Sequence, residues 1–158
     1  MRVLEMWVDP EQRGADEGRM WDLETEEPAA EIPLSRPAAP RAACIVPLPD
    51  GHHAVAIATA REITLWNPHT WTCTNRFDAL QTDAMTAFPQ SDATWLLATG
   101  SGTGLRLWDP RSGRLVHTLL TAAPVTDIVH TLADGPLLHI GGPAGRASLR
   151  WRPRTHAS

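Results

Sequence analysis

Apolar and polar residues alternate in short runs along this chain. Ile63-Thr64-Leu65-Trp66 and Leu105-Arg106-Leu107-Trp108 are the clearest examples. Alternation with period two indicates strands with one face buried. The runs are bounded by turn chemistry. Pro49-Asp50-Gly51 and Asp134-Gly135 combine a glycine that tolerates positive φ with an aspartate that bonds its own backbone. Pro110-Arg111-Ser112-Gly113 is a further turn, because proline cannot donate to a ladder and ends the strand before it. No stretch keeps apolar residues at i, i+3, i+4 and i+7 without an interrupting Pro or Gly, so helices are not expected. The pattern predicts strands at 41–49, 53–60, 61–67 and 71–77, then at 82–89, 94–101, 104–109 and 114–120. It continues with 125–132, 136–141 and 147–152. Before these, 2–9, 19–24 and 30–36 read as strands too.

The strands recur with a long period. Trp21, Trp66, Trp108 and Trp151 are 45, 42 and 43 residues apart. Asp50, Asp92 and Asp134 are spaced 42 and 42, and Pro68, Pro110 and Pro153 each stand two residues beyond a tryptophan. A period of about 40 to 45 residues marks a β-propeller array, whose unit is one four-stranded blade. The whole chain, 1–158, then reads as one partial propeller region. Its units are approximately 1–36 (incomplete), 41–77, 82–120 and 125–153 (incomplete), about three and a half four-stranded antiparallel blades of all-β class.

The strongest unit, 82–120, carries Leu97-Ala98-Thr99-Gly100-Ser101 and Leu105-Arg106-Leu107-Trp108-Asp109. Ile63-Thr64-Leu65-Trp66-Asn67, Met20-Trp21-Asp22 and Ser148-Leu149-Arg150-Trp151-Arg152 repeat its second half. In these residues the chain resembles the WD-repeat (WD-40) β-propeller family. It departs from the family's pattern at two places: Leu80-Gln81 stands where a Gly-His pair is usual, and Gly102-Thr103-Gly104 replaces the turn aspartate. Thr59 and Thr99 remain as candidate hydroxyl partners of the tryptophan indoles. The resemblance implies a rigid platform for protein–protein contacts, made by the loops 37–41, 60–61, 78–82, 101–104, 121–124 and 142–146. Arg41, Asp78, Gln81, Thr103 and Arg146 are the side chains in or beside those loops expected to meet a partner.

Composition narrows the function classes. All 14 basic residues are arginine, and Lys and Tyr are absent. That usage points to a GC-rich genome of the actinobacterial kind. No basic stretch followed by an apolar run marks a secretory signal, and no segment approaches the roughly 20 apolar residues of a membrane helix. The expected location is cytoplasmic, with no membrane partner. Cys44 and Cys73 fall on different strands of one unit and are not expected to pair. The histidines lack metal-ligand spacing, adjacent His52-His53 included. The glycines of 100–104 and 141–145 precede strands, not the helix a phosphate loop requires. No catalytic residue, cofactor or metal is therefore expected.

Charge is lopsided. Residues 1–31 carry ten acids against three arginines, whereas Arg146, Arg150, Arg152 and Arg154 crowd 146–154 without an acid. Four arginines without an aromatic platform are a poor footprint for nucleic acid. The reading is a non-catalytic scaffold or sensor that binds a protein. One alternative is a fragment of a longer repeat protein without independent activity. Another is a propeller enzyme or ligand channel, for which the inner strands offer Asp83, Asp127 and His130. Both ends of so short an array should expose strand edges and an apolar face, so self-association, or completion by further repeats, is expected.

Overall fold

A computed structural model of the chain describes residues 17–22 and 27–33 as backbone strands, and residues 40–90, 94–132 and 137–151 in full. Every described element is a strand, turn or irregular segment; none is a helix. Strands β1 (Glu17–Asp22) and β2 (Glu27–Pro33) form an antiparallel hairpin. The first large sheet runs in the order β3 (Ala42–Pro47), β4 (His53–Ala58), β5 (Glu62–Trp66), β6 (Cys73–Asp78). The second runs β7 (Ala84–Pro89), β8 (Trp95–Ser101), β9 (Gly104–Asp109), β10 (Arg114–Leu120). The third holds β11 (Asp127–Thr131), β12 (Leu137–Gly142) and β13 (Gly145–Arg150). All neighbours pair antiparallel. The strand expected at 2–9 lies outside the described residues, as do Asp92 and Asp134.

The repeat is visible in the backbone. Trp21 lies opposite Pro28, Trp66 opposite Cys73 and Trp108 opposite Leu115. In each hairpin the register slips beside the tryptophan, passing over Ala29, Thr74 and Val116. Such a bulge bends the strand and re-aims its side chains. Each sheet is also entered in the same way. The amides of Arg41, Asp83 and Thr126 donate to the carbonyls of Ala58, Gly100 and Gly141 at 2.8, 2.8 and 2.9 Å.

Aligned on these bonds, Trp66 faces Val55 and Trp108 faces Leu97 at equivalent places, both buried, at 5% and 7% exposure. In the third sheet that place is taken by Leu149, opposite Leu138. Trp151 stands two residues further along. Counted from the turn, Trp108 is four residues beyond Gly104, whereas Trp151 is six beyond Gly145. The spacing of 43 along the sequence therefore hides a two-residue displacement in space.

Two apolar seams hold the sheets face to face. Val46, Ala54, Ala56, Ala58, Ile63 and Leu65 of the first sheet meet Met85, Ala87, Leu97 and Trp108 of the second. Ala84, Phe88, Leu96, Ala98, Leu105 and Leu107 of the second meet Ile128 and Leu138 of the third. Strands β3, β7 and β11 lie side by side, so the sheets are brought together along their first strands. Aromatic contacts link the last strands of the first and second large sheets, β6 and β10, to the sheet that follows. Phe77 and Trp108 are 5.4 Å apart between ring centres, and His117 and Trp151 are 5.5 Å apart. Gly113 lies under the first contact: a Cβ there would come within 2.8 Å of Phe77, and its φ of 68° favours glycine.

The outward face of the third sheet corrects one expectation. An apolar face is expected at both ends of the array. Here the nine outward positions on β11, β12 and β13 are Asp127, Val129, Thr131, Leu137, His139, Gly141, Arg146, Ser148 and Arg150. The corresponding face of the second sheet carries Ala84, Phe88, Leu96, Ala98, Leu105 and Leu107, so the third sheet has traded apolar cover for polar groups.

Candidate binding face

Along one edge of the sheets, the loops that join them interlock with the turns inside them. Ala79 and Gln81, between β6 and β7, donate to the carbonyls of Arg61 and Ala60 at 2.9 and 3.1 Å. Val125, between β10 and β11, donates to the carbonyl of Ser101 at 3.0 Å. The turns themselves are tied by hydroxyls. Thr59 accepts from the amides of Arg61 and Glu62. Ser101, at the equivalent place, accepts from the Thr103 amide and donates to the Gly104 carbonyl. Thr59 is therefore a turn clamp, not the indole partner expected of it. Trp66 donates instead to Thr64 at 2.9 Å, while Trp108 donates to Thr99 at 2.9 Å. Ile57 stands in the first sheet where Thr99 stands in the second, which leaves Trp66 no hydroxyl opposite it on β4.

Four of the five expected partner-facing residues line this edge in close succession. Arg41 pairs with Asp83 at 2.8 Å. Gln81 holds a φ of 55°, unusual for a residue with a side chain. Thr103 shares a hydrogen bond with Ser101 and accepts one from Arg106 at 3.4 Å. Asp78 ends β6, exposed, opposite Glu62. Arg146 lies apart, in a cleft of about 210 Å³ between the 121–125 segment and the β12–β13 turn.

Three features of this edge escaped the sequence. Arg106 reaches across to donate to the Leu80 carbonyl at 3.1 Å, fixing that loop. Leu80 is 64% exposed and Leu120 is 78% exposed. Arg106 could have been noticed as the polar member of an apolar run; the exposure of the leucines could not.

Elsewhere, Thr131, His139 and Ser148 form a chain across the third sheet, with His139 Nε2 3.0 Å from Thr131 Oγ1 and Nδ1 2.8 Å from Ser148 Oγ. The order is that of a nucleophile, a base and an orienting group. A threonine, however, brings no charge to stabilise an imidazolium, and the chain lies on an open face. It orders that face. Of the inner-strand candidates, Asp83 is engaged by Arg41, His130 is 3.4 Å from Thr86, and Asp127 is exposed. Among the described residues no group of three or more His, Cys, Asp or Glu is placed to share a metal ion. Nor is any described helix long and apolar enough to cross a membrane.

On the opposite edge a concavity of about 340 Å³ is lined by Pro47, Leu48, Trp95, Asp109, Arg111 and Arg114, among others. Asp109 organises its turn. Burial works to raise its carboxyl's pKa. The Ser112 hydroxyl, the amides of Arg111 and Ser112 and the charge of Arg114 outweigh this and hold it below the ordinary value. Cys44 turns its thiol into the first seam, where burial pushes it up to about 12 despite a hydrogen bond with the Ala87 backbone. No protein-family model matches the chain, and no curated protein matches it.

Proposed function

We propose that the chain is a partial WD-like propeller, its sheets serving as blades, and that it acts as a non-catalytic platform for a protein partner. The partner binds the edge made by the β6–β7 loop and the β8–β9 turn. One observation carries this reading: a hydrogen-bonded edge presents Leu80 beside Arg106, Gln81 and Thr103. Backbone bonds to Ala60 and Arg61, and the Arg106 clamp, hold the loop before any partner arrives. Preorganisation of this kind removes an ordering cost from binding. An exposed apolar side chain ringed by arginine and amide groups suits the anchor of an interface. The left-handed Gln81 fits the same reading, since strained backbone clusters where function requires a fixed loop.

The test compares three forms of the chain in cross-linking and co-purification from the source cells. These are the native chain, Leu80→Asp, and Arg111→Glu on the opposite edge as a control. A partner held by the native chain and the control but lost with Leu80→Asp supports the proposal. Equal capture by all three, with Leu80→Asp still folded by circular dichroism, would reject it.

A further inference from the structure

Arg106 and Ala147 hold equivalent places in the second and third sheets. Each stands two residues beyond the glycine that opens its strand, Gly104 or Gly145, and two before Trp108 or Leu149. Arg106 faces Thr99 across the ladder, and Ala147 faces Ile140. Where the first sheet is joined to the second, Arg106 lies along the loop. One guanidinium nitrogen donates to the Leu80 carbonyl at 3.1 Å and the other to Thr103 at 3.4 Å. Where the second sheet is joined to the third, Ala147 cannot do this, because its methyl group ends where the arginine stem begins. The cleft of about 210 Å³ between the 121–125 segment and the β12–β13 turn lies at that place. It is the seat of a side chain that the third sheet lacks.

The walls of this seat are fixed by bonds of their own. The Thr121 hydroxyl donates to the Ala123 carbonyl at 2.6 Å. The Val125 amide donates to Ser101 at 3.0 Å, and the Thr126 amide to Gly141 at 2.9 Å. Pro124 lays its carbonyl so closely over Gly142 that a Cβ there would overlap it. A site held in this way needs little ordering when a ligand enters. Ala122, Ala123, Pro124, Ile140, Ala144 and Ala147 make the lining largely apolar. No acid lines the cleft, and one cation does, Arg146. Arg146 is exposed and makes no ion pair or hydrogen bond among the described residues. Asp127 stands across Gly141 from it, yet the two do not pair. A cationic ligand would meet Arg146 and no acid; an anionic one would meet its complement.

We propose that this cleft binds a small carboxylate with a short branched apolar tail. The carboxylate pairs with the Arg146 guanidinium, and the tail takes the place beside Ala147 and Ile140 that an arginine stem takes in the sheet before. Volume sets the size: since an apolar cavity of roughly 150 Å³ takes a benzene-sized molecule, the occupant has about seven to nine heavy atoms. A seat this small suits a free acid better than a length of peptide. Once bound, the acid joins the second sheet to the third, as Arg106 joins the first to the second. The site shares no residue with the edge around Leu80, and it stands or falls apart from the proposed platform role.

The test titrates 3-methylbutanoate into the full native chain and follows saturation transfer to its methyl groups by NMR. A ligand of this size should bind with a dissociation constant of about 1 mM. The uncharged 3-methylbutanamide and the cationic 3-methylbutylamine should each bind at least roughly tenfold more weakly. Arg146→Gln should weaken the acid by about the same factor, while Arg150→Gln on the same strand leaves it unchanged. Ala147→Arg should abolish binding, by filling the seat as Arg106 fills its own. That variant adds a positive charge, so simple attraction of anions to the surface would be strengthened by it instead. Circular dichroism checks that each variant is folded, and the comparison of acid, amide and amine is made on the native chain alone. Equal binding of acid and amide, binding that survives in Ala147→Arg, or no binding by the native chain would each overturn the proposal. So would a short peptide with a free C-terminal leucine that binds tenfold tighter than the acid, since the cleft would then belong to the end of a partner chain.

Discussion

Trp108 donates its indole N–H to Thr99 on the neighbouring strand at 2.9 Å. Trp66, at the equivalent place one sheet earlier, makes the same bond at the same length to a different residue, Thr64 of its own strand. The bond has been kept while the acceptor moved. Trp151, displaced by two residues, has Leu149 and Leu138 in the region where those hydroxyls stand, and its buried indole nitrogen has no hydrogen-bond partner among the described residues.

Thr99→Val and Thr64→Val should each leave a buried indole N–H unpaired. Either should cost about 1–3 kcal/mol, measured by urea denaturation with tryptophan fluorescence. Thr59→Val should leave the Trp66 environment unchanged, because Thr59 serves the turn. A Thr99→Val chain as stable as the native one would show that the bond contributes nothing.

The two cysteines should differ sharply in reactivity. Only the thiolate attacks disulfide reagents, and Cys44, pushed up to about 12, is almost wholly protonated at pH 8. Cys73 is exposed. A colorimetric thiol titration of the native protein should therefore count one fast thiol, lost in Cys73→Ser. The second should react only after denaturant is added. Two fast thiols would place Cys44 outside the seam.

Asp109 should contribute to acid sensitivity. Its folded pKa lies below the ordinary aspartate value of about 3.9, so its charged form stabilises the fold above that value. The contribution is lost as pH falls through the folded pKa. Thermal melting between pH 6 and pH 2 should show the native chain above Asp109→Asn at the upper end. The gap should close at the lower end. A gap that stays constant with pH would mean that the carboxylate's charge is not what holds the Pro110–Gly113 turn.

The sequence by itself determined the strands, because alternation and turn residues act over a few positions. The all-β class follows from them, and each strand observed lies within three residues of its expected bounds. Burial of Trp66 and Trp108 could be read from their period, since repeated units pack repeated side chains. Tertiary structure alone decided the rest. Trp151 keeps the spacing and loses the place, because spacing counts residues whereas position depends on where a turn closes. Thr64 replaced Thr99's role because a hydroxyl two residues away on the same strand reaches the indole as well as one across the ladder. The polar outward face of the third sheet was written in Thr131, His139, Ser148, Arg146 and Arg150. It became legible only when pairing set three strands side by side. Which residues share a face depends on register between segments distant in sequence, and no local pattern fixes that.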